Sequence, residues 1–139
     1  MKFMSQTFFV AEKKTHVPTI LVVEDEPNVR KLVAINLVKR GYQVVEAENG
    51  QQALNHLYDK KPALMVLDIK LPDLSGWDIL DRICTAPALS NDLLVLVMTA
   101  SPVDPHTVLN QYPCVTEILI KPFNTDKLIT AVQRALLKT

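Results

Sequence analysis

Apolar runs of strand length alternate with apolar positions at helical spacing along this chain. Thr19-Ile20-Leu21-Val22-Val23 is rich in β-branched residues and reads as a strand. Glu24-Asp25-Glu26 ends it, and Pro27 suits the first turn of a helix. Val29, Leu32, Val33 and Leu37 then recur at helical spacing, with Gly41 as a stop. Gln43 to Ala47 reads as a second, shorter strand, and Asn49-Gly50 turns the chain into a helix carrying Ala53, Leu54 and Leu57, up to about Tyr58. Ala63-Leu64-Met65-Val66-Leu67-Asp68 has the unbroken apolar character of a strand buried on both faces. Pro72 and Gly76 mark the turn after it, and Trp77, Leu80 and Ile83 mark a third helix.

Thr85 to Asn91 reads as a loop broken by Pro87. Leu93 to Met98 is the most apolar strand and closes at Thr99-Ala100-Ser101. A short fourth helix is expected from Asp104, with Pro105 in its first turn, ending by Tyr112-Pro113. Val115 to Ile120 is the fifth strand and runs into Lys121-Pro122-Phe123. Asn124 caps a last helix whose stripe is Leu128, Ile129, Val132, Ala135 and Leu136.

Strict strand–helix alternation predicts an α/β domain with a parallel sheet, helices on both faces and right-handed crossovers. The 139 residues fit one such domain, with no internal repeat. Residues 18–139 form it. Residues 1–17 are an N-terminal extension, either a floppy leader or a strap laid over the domain. The extension lacks a signal-peptide core and a cleavage site, and no apolar stretch reaches membrane-spanning length. The expectation is therefore a cytoplasmic protein with no membrane contact. Hydrophobic residues make up 48% and charged residues 22%, a globular balance. Lys plus Arg (15) equals Asp plus Glu (15), which gives no sign of direct nucleic-acid binding. Cys84 and Cys114 match no metal-ligand spacing and read as core thiols. His16, His56 and His106 fall at no strand end.

The predicted strand ends carry the chemistry. The first offers Glu24 and Asp25, the third Asp68, the fourth Thr99 and the fifth Lys121. Parallel strands bring all five to one rim, outside the carboxyl edge where open α/β sheets bind ligands. A strand-end aspartate alone is more often a turn former or a cap. Three acids together are another matter, because each like-charged pair about 4 Å apart costs roughly 1–4 kcal/mol. Such a cluster must stay wet, take up a proton or hold a cation, and all-oxygen ligands suit Mg²⁺. Lys121 is a compact charge suited to a phosphoryl group, and Thr99 can donate a hydrogen bond to it. The chemistry assembled is phosphoryl transfer, with one carboxylate attacking phosphorus and becoming an aspartyl-phosphate.

These residues carry a resemblance. From about Pro18 to Leu137 the chain resembles the receiver domain of bacterial two-component response regulators. The matching features are Glu24-Asp25 after strand one, Asp68 followed by Pro72 and Gly76, Thr99-Ala100 after strand four and Lys121-Pro122-Phe123 after strand five. The resemblance implies a flavodoxin-like (βα)5 doubly wound sheet in the order 2-1-3-4-5. It implies that Asp68 accepts a phosphoryl group from a sensor histidine kinase or phosphotransfer protein. Asp25, Asp68 and the main-chain carbonyl of Lys70 would ligate Mg²⁺, with Glu24 acting mainly through a bound water. Lys121 would pair with Asp68, Thr99 would swing onto the phosphate, and the Lys121-Pro122 bond would be cis. The output would be a downstream protein target or a linked output domain, with a phosphate-dependent homodimer as a further mode. The only catalysis expected is the domain's own phosphorylation and dephosphorylation, so it is a switch and not a metabolic enzyme.

One position departs from the family pattern. Ile118 stands where an aromatic residue usually partners the threonine, so the aromatic readout is expected to be weakened. Lys70 lies at the mouth of the site, either meeting the phosphate or simply solvated. Three other readings compete. A small-molecule phosphatase with a strand-end nucleophile would place a second acid where Lys70 stands, and would carry an inserted cap. A degenerate receiver acting only as a binding module would not keep Asp25, Asp68, Thr99 and Lys121 together. A flavin-binding relative would want small residues where Glu24-Asp25-Glu26 stand.

Overall fold

The computed structural model describes residues 17–90 and 92–137. The extension up to residue 16, with His16, and also Asn91, lie outside the described residues. Five strands form one sheet: β1 (Thr19–Val23), β2 (Gln43–Ala47), β3 (Leu64–Asp68), β4 (Leu94–Thr99) and β5 (Val115–Ile120). All pairings are parallel and the order is β2-β1-β3-β4-β5, as the resemblance implies. The helices are α1 (Pro27–Lys39), α2 (Gly50–Lys60), α3 (Gly76–Thr85), α4 (Pro87–Ser90), α5 (Pro105–Gln111) and α6 (Thr125–Leu137).

Alternation of side chains along the central strands splits the core into two layers. Leu21, Val23, Met65, Leu67, Val95 and Val97 face α2, α3 and α5. Ile20, Val22, Leu64, Val66, Leu96 and Met98 face α1 and α6. Burial of every residue of β3 follows from its central place, which is why its sequence is apolar without interruption. Side chains close the helix starts. Glu26 accepts the Asn28 N–H at 3.1 Å, Asn49 accepts that of Gln52 at 2.8 Å, and Asn124 accepts that of Lys127 at 2.8 Å. Ser75 and Asp78 form a capping box on α3.

Three expectations need correction. The loop expected from Thr85 contains the one-turn helix α4; Pro87 starts it instead of breaking the chain, and Leu89 is buried beneath it. On α1 the inward face is Arg30, Val33, Ala34 and Leu37, whereas Leu32 is 56% exposed beside Ile35 and Val38. Only one cysteine reaches the core: Cys84 is exposed on α3, one residue past the buried Ile83, whereas Cys114, half-buried in the turn before β5, packs against the α2–α3–α5 layer. Both are free. Among the described residues no helix is long and apolar enough to cross a membrane.

Candidate functional site

Parallel pairing puts the ends of β1, β3, β4 and β5 at one edge of the sheet. There Glu24, Asp25, Asp68, Lys70, Thr99 and Lys121 line an open cavity of about 560 Å³. The turn after β3 is held by Gly76, whose N–H donates to the Ile69 carbonyl at 2.7 Å. A Cβ at Gly76 would come within 2.8 Å of the Ile69 Cα, so only glycine lets the two backbones meet this closely. The Lys121-Pro122 peptide is cis.

Glu24 is 1% exposed and Asp68 4%, while Asp25 faces solvent. Their carboxylate oxygens lie within 4.8 Å of one another. The Lys121 ammonium answers this charge, donating to Glu24 Oε1 at 2.6 Å and to Asp68 Oδ2 at 3.2 Å. Lys121 was expected to pair with Asp68; its shorter bond goes to Glu24, the more deeply buried of the two acids. The other Asp68 oxygen accepts the Lys70 N–H at 3.3 Å, and Glu24 Oε2 accepts the Glu26 N–H at 3.2 Å. Burial pushes the Glu24 carboxyl up to about 7, against the pull of its Lys121 bond. Burial alone would lower the Lys121 value, but the hydrogen bond to Glu24 and the charge of Asp68 outweigh it and raise it. The ammonium therefore stays charged through the physiological range.

The remaining residues of interest fall around this centre. Thr99 is buried, and its Oγ1 turns toward the following turn, accepting the Ser101 N–H at 3.1 Å. The Lys70 side chain is exposed at the mouth of the cavity. Ile118 is not in the cavity; it packs half-buried against the α2–α3–α5 layer. His56 is half-buried and His106 exposed, and neither lines the cavity. Trp77 lines the cavity wall and stacks on Tyr112, with ring centroids 5.9 Å apart.

Three hard oxygen donors converging beside a single ammonium fit a divalent cation such as Mg²⁺. Asp25, Asp68 and Glu24 are the side chains available to hold it.

Two residues escaped sequence reasoning. Arg30 is buried behind the acidic pair, and Asp73 bridges the turn after β3 to the start of α2. A signal for Arg30 was present, since its spacing from Val33 and Leu37 puts it on the inward face of α1. Asp73 had none, because its partners, the Gly50 and Gln51 N–H groups, are more than twenty residues away.

The family model for the response regulator receiver domain matches residues 20–133. The phosphate regulon transcriptional regulatory protein PhoB of Pseudomonas aeruginosa is 32% identical over 121 residues, covering 87% of this chain and 52% of that protein. Sporulation initiation phosphotransferase F of Bacillus subtilis is 33% identical over 118 residues, covering 84% of this chain and 92% of that protein. Among solved structures, the response regulator protein TrrA from Thermotoga maritima, in complex with Mg(2+)-BeF, is 32% identical with a TM-score of 0.71, covering 86% of this chain and 99% of that one. The chain spans about half the length of the first curated relatives it matches.

Proposed function

Because the chain belongs to the response regulator receiver domain family, and is on that account a phosphorylation-dependent signalling switch, we propose that Asp68 is its phosphoryl acceptor. The observation that carries this reading is the setting of Asp68. It ends the central strand β3, is buried on its strand side, and opens into the cavity with Lys121 at 3.2 Å.

In this reading one Asp68 oxygen attacks phosphorus of a phosphohistidine on a sensor kinase or phosphotransfer protein. The P–O bond forms as the P–N bond breaks, and the imidazole leaves with the electron pair. Lys121 and the Thr99 hydroxyl meet the charge on the non-bridging oxygens. Mg²⁺ held by Asp25, Asp68 and the Lys70 carbonyl, with Glu24 acting through a water, would neutralise part of that charge. The Thr99 hydroxyl, whose oxygen accepts the Ser101 N–H at 3.1 Å, would swing its hydrogen toward the phosphate and so report phosphorylation. Water later attacks the same phosphorus and returns Asp68 to its free form.

The switch acts through its surface, on a downstream protein, a linked output domain or a second copy of the chain, and its setting is the cytoplasm. Receiver domains are signalling switches and not metabolic enzymes; self-phosphorylation from small donors and self-dephosphorylation are the catalysis proposed. Intact mass after incubation with Mg²⁺ and a small acyl phosphate tests the reading. One added phosphoryl group is expected, lost in Asp68→Asn and in EDTA. Uptake that persists in Asp68→Asn, or none in the folded wild-type protein, would refute it.

A further inference from the structure

Arg30 sits on the inward face of α1 and is only 9% exposed. A guanidinium is rarely buried without partners on every side. Its Nη1 donates to the main-chain carbonyl of Glu24 at 2.9 Å, and its Nε donates to Glu46 Oε1 at 3.2 Å. Its Nη2 lies 3.9 Å from Glu48 Oε2. Lys31 holds the second Glu46 oxygen at 3.1 Å. On its other side, the Glu24 N–H donates to the Ala47 carbonyl at 3.1 Å. The backbone of Glu24 is therefore anchored to the β2 edge twice, directly through its N–H and through Arg30 by its carbonyl.

We propose that Arg30 is a positioning residue for cation binding, fixing the Glu24–Asp25 turn so that its carboxylates meet Asp68. The proposal rests on the reading of Glu24, Asp25 and Asp68 as the Mg²⁺ site. Arg30 bonds no carboxylate of the cation site, and its influence passes through the main-chain carbonyl of Glu24. Glu46 and Glu48 face its charge from the β2 side, and what it sends toward the site is a hydrogen bond. A role through charge alone has the opposite sign, because a positive group behind the acids repels a cation and its removal would tighten binding.

Mg²⁺ titration followed by the fluorescence of Trp77, the single tryptophan, which lines the same cavity, separates the two. Arg30→Gln is expected to weaken Mg²⁺ binding roughly tenfold, in the range seen when outer partners of metal ligands are removed. Arg30→Lys, which can reach the Glu24 carbonyl or Glu46 but not both, should fall between Arg30→Gln and wild type. Glu46→Gln should weaken binding in the same direction and add little to Arg30→Gln in the double variant. Unchanged or tighter binding in folded Arg30→Gln would overturn the proposal. Should Arg30→Gln fail to fold by circular dichroism, Glu46→Gln decides, and unchanged affinity there overturns it. Asp25→Asn separates the two levels: if it leaves Mg²⁺ binding intact, the assignment of the cation site fails, whatever Arg30 does.

Discussion

Lys121 makes its tighter contact with Glu24, at 2.6 Å, and its looser one with Asp68, at 3.2 Å. The acid proposed to accept the phosphoryl group is thus the one the lysine holds less closely. Glu24 takes most of the ammonium's attention, which leaves Lys121 a short movement from a phosphoryl group arriving on Asp68.

Glu24 sets a pH dependence. Its folded value, about 7, lies above the ordinary 4.5, so the folded protein binds an extra proton between them. Metal-free stability should therefore be fully present below about pH 4.5 and decline as pH rises toward 7, by on the order of 3 kcal/mol. Urea unfolding across that window, with Glu24→Gln as reference, measures it. A wild-type slope no different from that of Glu24→Gln would show that Glu24 is not the group responsible.

Lys121→Met should leave the fold in place and slow phosphorylation by a small acyl phosphate roughly a hundredfold, the scale of losing one charge stabiliser at a phosphoryl group. Rates come from the time course of intact mass. A variant that phosphorylates at the wild-type rate would assign the phosphate's counter-charge elsewhere.

Asp73 ties the turn after β3 to the start of α2, accepting the Gly50 N–H at 2.7 Å and the Gln51 N–H at 2.9 Å. Burial is the largest single influence and raises its value, but these bonds and that of the Leu74 N–H together outweigh it and leave a net depression. Its stabilising effect is present above the ordinary 3.8 and is lost as pH falls below that value. Asp73→Ala should cost about 1 kcal/mol at neutral pH, as loss of a helix cap does. Denaturant midpoints at pH 7 and pH 3 test this, and the gap between variant and wild type should narrow at the lower pH.

Ile118 leaves the buried Thr99 without an aromatic partner on β5. Ile118→Tyr should strengthen the phosphate-dependent change in amide exchange over α5 and β5. Identical exchange differences in the two proteins would mean that the signal leaves the site by another route.

Much of this was legible in the chain. Unbroken apolar runs made β3 and β4 central, and the residues that end them, Asp68 and Thr99, lie where alternation of strand and helix required. Local order resolved less well where one residue type has two uses. Pro87 breaks a helix or starts one, and it starts α4. Leu32 and Leu37 look alike in a list of apolar residues, yet only Leu37 faces the sheet. The choice of Glu24 over Asp68 by Lys121 was out of reach, since it depends on relative burial at a few tenths of an ångström.

Lys121 lies 97 residues beyond Glu24 along the chain, on the loop after a strand that pairs only with β4. During biosynthesis the acids therefore emerge long before their counter-ion. A ribosome-bound chain that stops short of β5 has its three carboxylates, Glu24, Asp25 and Asp68, without the Lys121 ammonium, and β4 as a bare hydrophobic edge. The acidic rim thus gains its counter-charge only when the fifth strand joins the sheet.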